Sequence, residues 1–88
     1  MFLHVAAVSC LDGYKLSLTF NNGVVKIVDL KDELYGEVFV PLRDIDLFRQ
    51  VVVNHDIGTV EWPNGADFAP EFLYEKGTDV TSSVRAIA

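Results

Sequence analysis

The stretch "YKLSLTFNNGVVKIVDL", residues 14–30, leaves a chain of this kind few folds to choose from. Its first half alternates with period two. Tyr14, Leu16, Leu18 and Phe20 share one face, and Lys15, Ser17 and Thr19 share the other. That is the pattern of a half-buried strand, because successive side chains leave opposite sides of the backbone. The strand stops at an Asn-Gly pair, which tolerates the positive φ angles of a type I′ hairpin turn. With Asn22 and Gly23 as a two-residue loop, Phe20 faces Val25, Leu18 faces Ile27 and Thr19 faces Lys26. Upstream, a second two-residue turn at Asp12-Gly13 pairs Val5 with Phe20, Ala7 with Leu18 and Ser9 with Leu16, and sets Cys10 across from Lys15. Both turns agree on one apolar face, so residues 3–30 are expected to form a three-stranded antiparallel meander. In that register Asp29 lies on the core side near the sheet end, bonded to backbone or to a lysine.

The rest of the chain is punctuated more often. "KDELYG" reads as one helical turn ending at Gly36, and "EVFVPL" as a short extended piece. "PLRDIDLFRQ" reads as a short helix with Pro41 in its first turn, where the missing N–H costs nothing. Leu42, Ile45 and Phe48 then point inward at helical spacing. "VVVNHDIGTVEW" is a second hairpin, with strands near 50–54 and 58–62 and a turn containing Asp56 and Gly58. In "EWPNGADFAPEFLYEK", residues 61–76, Pro63 closes the strand, Asn64-Gly65 turns, and Pro70 opens a short helix. Glu71 complements the helix dipole, Phe68 and Leu73 have the spacing of a hydrophobic staple, and Gly77 stops the helix after Lys76. Asp67 is expected to accept backbone hydrogen bonds and lock the turn into the helix. The fold class is therefore α+β: a small antiparallel meander plus a second hairpin, with two short helices packed on the sheet. Residues 1–77 form one domain, and residues 78–88 are a tail, either disordered or an added edge strand.

Composition narrows the function. A chain of 88 residues buries roughly 64% of its unfolded surface, enough for one thin core that a second copy or a partner would help to complete. The net charge is −6, and the seven Lys and Arg residues form no cluster. Nucleic-acid binding rests on such clusters, and so does binding to anionic membranes, so neither is expected. No apolar run approaches the ~18 residues of a membrane span, and the N-terminus lacks the basic flank of a secretion signal. One cysteine, Cys10, allows no internal disulfide. These features point to a reduced, cytoplasmic protein.

The blocks "LTFNNGVVKIVDL", "VFVPLRDIDLFRQVVV" and "GTVEWPNGADFAPEFLY" together resemble a small bacterial family catalogued as domain of unknown function 2442. The resemblance covers nearly all of residues 3–76 and is most specific in the last block. Asn22 stands where the family commonly has Asp, and either residue suits the turn. The resemblance implies a compact, β-rich α+β fold. It also implies short free-standing bacterial chains, whose genes often adjoin another short family in an arrangement similar to toxin–antitoxin pairs. It implies no activity, and no catalytic residue is carried over.

His4 and Cys10 share a strand face but lie roughly 20 Å apart at the rise of a β-strand, too far for a nucleophile–base pair. His4, His55 and Asp56 lack metal-ligand spacing, so neither a metal nor a cofactor is expected. Asp67 and Glu71 beside Trp62 are the candidate acid pair for a small enzyme or ligand-binding protein, a role that needs one carboxyl buried. The reading preferred is a non-enzymatic module for a protein partner, either a basic protein or a second copy of itself, with an antitoxin-like member of a two-gene pair as its specific form. A structural homodimer is the remaining alternative. The contact residues expected are Trp62, Asn64, Asp67, Phe68, Glu71, Phe72 and Tyr74, since aromatic groups dominate binding surfaces.

Overall fold

The alternation in residues 14–20 is obeyed: Leu16, Leu18 and Phe20 are all buried. They lie on β2 (Lys15–Phe20), the second strand of a four-stranded antiparallel sheet ordered β1-β2-β3-β6, with β1 at Val5–Cys10, β3 at Val25–Asp29 and β6 at Thr78–Asp79. The structure, a computed structural model, describes residues 2–82. The tail thus contributes an edge strand through Thr78 and Asp79, and its last residues, 83–88, lie outside the described part. A separate hairpin of β4 (Val52–Asn54) and β5 (Thr59–Glu61) forms a second sheet, and two short helices, α1 (Ile45–Phe48) and α2 (Pro70–Lys76), complete an α+β fold.

The meander is present, but its register differs from the two-residue-turn expectation by one position. Phe20 N–H donates to Val24 O at 2.8 Å and Gly23 N–H donates to Phe20 O at 3.0 Å, so the loop holds three residues, 21–23. Among the described residues only glycines have positive φ, and Gly23, at +85°, is the left-handed third residue of this loop. A type I′ turn would have needed positive φ at Asn22 as well. Leu18 therefore faces Lys26 rather than Ile27, and Leu16 faces Val28. A one-residue slip exchanges the two faces of a strand. Val28 is accordingly the buried residue of β3, while Val25 and Ile27 stay half-exposed and Asp29 is exposed. Asp29 is bonded to backbone as expected: its Oδ1 accepts Lys31 N–H at 3.0 Å.

The first turn behaves alike. Leu11 N–H donates to Lys15 O at 2.9 Å around residues 12–14. Val5 does pair with Phe20, but an irregularity between Val5 and Ala7 moves the remaining pairs to Ala7–Thr19, Val8–Leu18, Ser9–Ser17 and Cys10–Leu16. Val8 and Cys10 pack against the core, while Ala7 and Ser9 are exposed.

Between the sheets the chain turns repeatedly. A 3-10 turn spans Lys31–Glu33, as the helical reading of that segment requires. "EVFVPL" is not extended: residues 37–39 form turns that run into a second 3-10 turn, Val40–Arg43, with Pro41 near its start. Asp44 adopts ψ 112° and interrupts the expected helix, and its side chain caps α1 by accepting Asp46 N–H at 3.0 Å. That break rotates Ile45 outward, whereas Leu42 and Phe48 remain buried. The second hairpin turns at Gly58, φ +74°.

The core collects Val5, Leu16, Leu18, Phe20, Val28, Leu30, Leu34, Leu42, Phe48, Val60, Trp62, Ala66, Phe68 and Leu73. α2 lies against β3 through its end. A Cβ on Gly77 would stand 2.8 Å from Lys26 Cβ and 2.9 Å from Val28 Cγ2, so glycine is required there for closeness, not for conformation.

Candidate functional site

Asn64 organises the surface on which the expected contact residues fall. Its Oδ1 accepts Ala66 N–H at 3.1 Å, closing its own turn, and its Nδ2 donates to Val38 O at 2.9 Å. The second bond ties the segment around residue 38 to the turn that precedes α2. Phe39 is thereby set parallel to Phe68, with ring centroids 4.5 Å apart and planes at 25°.

Phe68 occupies the position before the cap residue Ala69 and meets α2 through the staple spacing to Leu73; both are buried in one cluster. Its ring continues the stack into Phe72, at 5.4 Å and 16°. Phe39, Phe68 and Phe72 thus form a ladder of three nearly parallel rings. Trp62 meets Phe68 edge-on at 5.9 Å, and its Nε1–H donates to Phe48 O at 2.8 Å. With the residue only 1% exposed, Trp62 is the root of the ladder and presents no surface. At one end Phe72 is 36% exposed; at the other, Val38 and Val40, which flank Phe39 in the chain, are 47% and 43% exposed.

Carboxylates neighbour these apolar residues in the chain. Asp67 and Glu71, which precede Phe68 and Phe72, are both exposed, as are Glu37 and Glu75. From Gln50 through Glu75 the chain contains Asp56, Glu61, Asp67, Glu71 and Glu75 and not one Lys or Arg. Among the described residues the ion pair is Lys76 with Glu33, at 3.6 Å.

The structure therefore divides the seven expected residues. Asn64, Phe68 and Phe72 are joined to the ladder, and Asp67 and Glu71 are exposed and precede Phe68 and Phe72 in the chain. Trp62 is the buried root of the ladder. Tyr74 lies on another side of α2, edge-on to Phe20 at 5.0 Å, with its hydroxyl accepting Asn22 Nδ2–H at 3.3 Å. Lys26 reaches over that ring, its Nζ 4.0 Å from the centroid, and donates to Tyr74 O.

Asp67 differs from both roles expected of it. Its backbone bridges to Glu61, but the turn-locking side-chain bonds belong to Asn64, and an exposed carboxylate lacks the burial that acid catalysis would use. Two open hollows lie elsewhere. One of about 410 Å³ is lined by Tyr14, Lys31, Asp32, Leu34 and Arg43, and one of about 290 Å³ by Lys15, Ile27, Asp29, Lys76 and Thr78; neither includes Trp62, Asp67 or Glu71. His4 and Cys10 do not share a face. The irregularity in β1 sets Cys10 against the core, where its Sγ–H reaches Arg49 O at 3.7 Å, whereas His4 is exposed, and its ring would meet a Cβ on Gly58 at 2.7 Å. Among the described residues no three metal-ligating side chains gather, and no helix is long and apolar enough to cross a membrane.

Val38, Phe39 and Val40 were not anticipated as part of this surface. The available signal was three consecutive apolar residues between Glu37 and Pro41 with no alternation to explain them. No curated protein and no solved structure matches the chain. A family model does match, over residues 5–79, and it carries the description "protein of unknown function". The chain belongs to that family, DUF2442.

Proposed function

We propose that this chain is a non-enzymatic protein-binding module whose partner is a basic protein. The observation that carries the reading is the aromatic ladder with exposed apolar groups at both ends, Phe72 at one and Val38 and Val40 beside Phe39 at the other, in a chain whose residues 50–75 hold five carboxylates and no Lys or Arg. A solvent-facing apolar centre with a charged rim is the arrangement of a protein interface, in which aromatic anchors supply most of the affinity. The acidic rim and the net charge of −6 would steer a basic partner and repel an acidic one. The family resemblance adds the finer form of this reading, the neutralising member of a two-gene pair in a bacterial cytoplasm.

The test is capture of partners from native cytoplasm by the tagged chain and by its Phe72→Ala variant, with elution in salt and identification by mass. One stoichiometric basic protein, held by the parent chain and released by a variant that still unfolds cooperatively within about 4–8 °C of the parent melting temperature, supports the proposal. Equal capture by both chains removes the patch from the interface. Recovery of the chain alone turns the reading toward a homodimer.

A further inference from the structure

Resting on that protein-binding reading, we infer that the partner's anchor is an arginine side chain laid flat on the outer face of Phe72. Phe68 stacks on Phe72 with centroids 5.4 Å apart and planes at 16°, so it covers one face of that ring, and Phe72 is 36% exposed. An aromatic face carries negative potential and attracts a cation placed above it. The helix already uses this chemistry elsewhere, where Lys26 Nζ sits 4.0 Å from the centroid of the Tyr74 ring. Phe72 lies in the chain among the exposed Asp67, Glu71 and Glu75, and among the described residues no Lys or Arg pairs with those three.

The choice of arginine over lysine follows from shape. A guanidinium is planar, stacks on a ring, and still directs its edge N–H groups sideways to carboxylates. An ammonium is a compact, strongly hydrated charge that cannot make both contacts as well.

The experiment titrates the full chain with three 12-residue peptides of one Leu/Ala framework, carrying two arginines, two lysines or two citrullines at the same positions. The arginine peptide is expected to bind about threefold or more tightly than the lysine peptide, the scale of an exposed cation–π contact. The citrulline peptide is expected to bind weakest. Phe72→Leu keeps the apolar bulk and removes the ring, so the arginine-to-lysine ratio should fall to about one. Glu71→Gln with Asp67→Asn should weaken both cationic peptides and flatten their salt dependence while keeping the ratio. Equal binding of the arginine and lysine peptides to the parent chain overturns the inference. Survival of the preference in Phe72→Leu, or failure of every peptide to bind, overturns it too. The two proposals fail separately. A basic partner lost by Phe72→Ala but fully retained by Phe72→Leu leaves the interface standing and removes the arginine.

Discussion

Gly77→Ala is the most demanding test of how α2 meets the sheet, because the sign of its effect is in question. Gly77 has φ −71° and ψ 155°, a conformation that alanine adopts freely. On backbone grounds alone the substitution would stabilise the fold by about 0.4–1 kcal/mol, by restricting the unfolded chain. The packing argues the reverse. The new Cβ would lie 2.8 Å from Lys26 Cβ, 2.9 Å from Val28 Cγ2 and 3.1 Å from Leu73 O. Two of these neighbours belong to β3 and the third accepts the hydrogen bond that ends α2, Gly77 N–H to Leu73 O at 3.0 Å. None is the free end of a long side chain. Relief requires α2 to move off β3, a strain of about 1–3 kcal/mol for overpacking of this kind. In a domain of this size each kcal/mol shifts the melting temperature by about 4–8 °C, so a fall of about 4–24 °C is expected. Thermal unfolding followed by far-UV circular dichroism, and by the fluorescence of the single tryptophan, measures it. A melting temperature equal to or above that of the parent chain would show that α2 is free to shift, and would refute the close approach.

Other expectations separate structural from surface roles in residues 62–67. Asn64→Ala removes the bonds to Ala66 N–H and Val38 O and should cost about 1–2 kcal/mol, as loss of a cap does, whereas Asp67→Ala should change stability by less than about 0.5 kcal/mol; urea unfolding of the pair reads the difference. Trp62→Phe keeps an aromatic ring at the root of the ladder but leaves the buried Phe48 carbonyl without its indole donor, so a loss of about 1–3 kcal/mol is expected in the same assay.

Much of the architecture could be read before any coordinates. The alternation of residues 14–20, the glycines at 23, 58 and 65, Pro70 at the head of α2 and the Phe68–Leu73 staple each correspond to one local physical demand. The register could not be read in this way, and residues 24–30 show why. One parity offers Val24, Val28 and Leu30 with Lys26, and the other offers Val25 and Ile27 with Asp29. Both are apolar enough to face a core, so the choice fell to the turn, and an Asn-Gly pair serves a two-residue or a three-residue loop equally well. Tertiary bonds favour the longer loop. Asn21 Oδ1 accepts His4 N–H at 3.0 Å and Asn21 Nδ2 donates to Phe2 O at 2.7 Å, which commits Asn21 to the N-terminal segment. Such a bond links residues 17 positions apart, beyond the reach of any local pattern. The candidate surface shows the same limit, since its order depends on Asn64 reaching Val38 across 26 positions.

That reach also decides which residue can distinguish binding from folding. Phe68 is a rung of the ladder, a staple residue and a member of the core, and its carbonyl accepts the buried Thr59 hydroxyl at 2.7 Å. Truncating it would unfold the surface along with any interface, so lost binding would say nothing about recognition. Trp62 has the same defect, and Asn64 shares part of it. Phe72 is different: it stacks on the ladder from outside and does not belong to the buried cluster. Replacing it removes the exposed ring and leaves the staple and the Asn64 bonds in place. The expected cost of Phe72→Ala to stability is about 1 kcal/mol, the typical value for a partly exposed site, against about 3–5 kcal/mol for Phe68→Ala. If both variants melted alike, Phe72 would belong to the core and the ladder would have no open end.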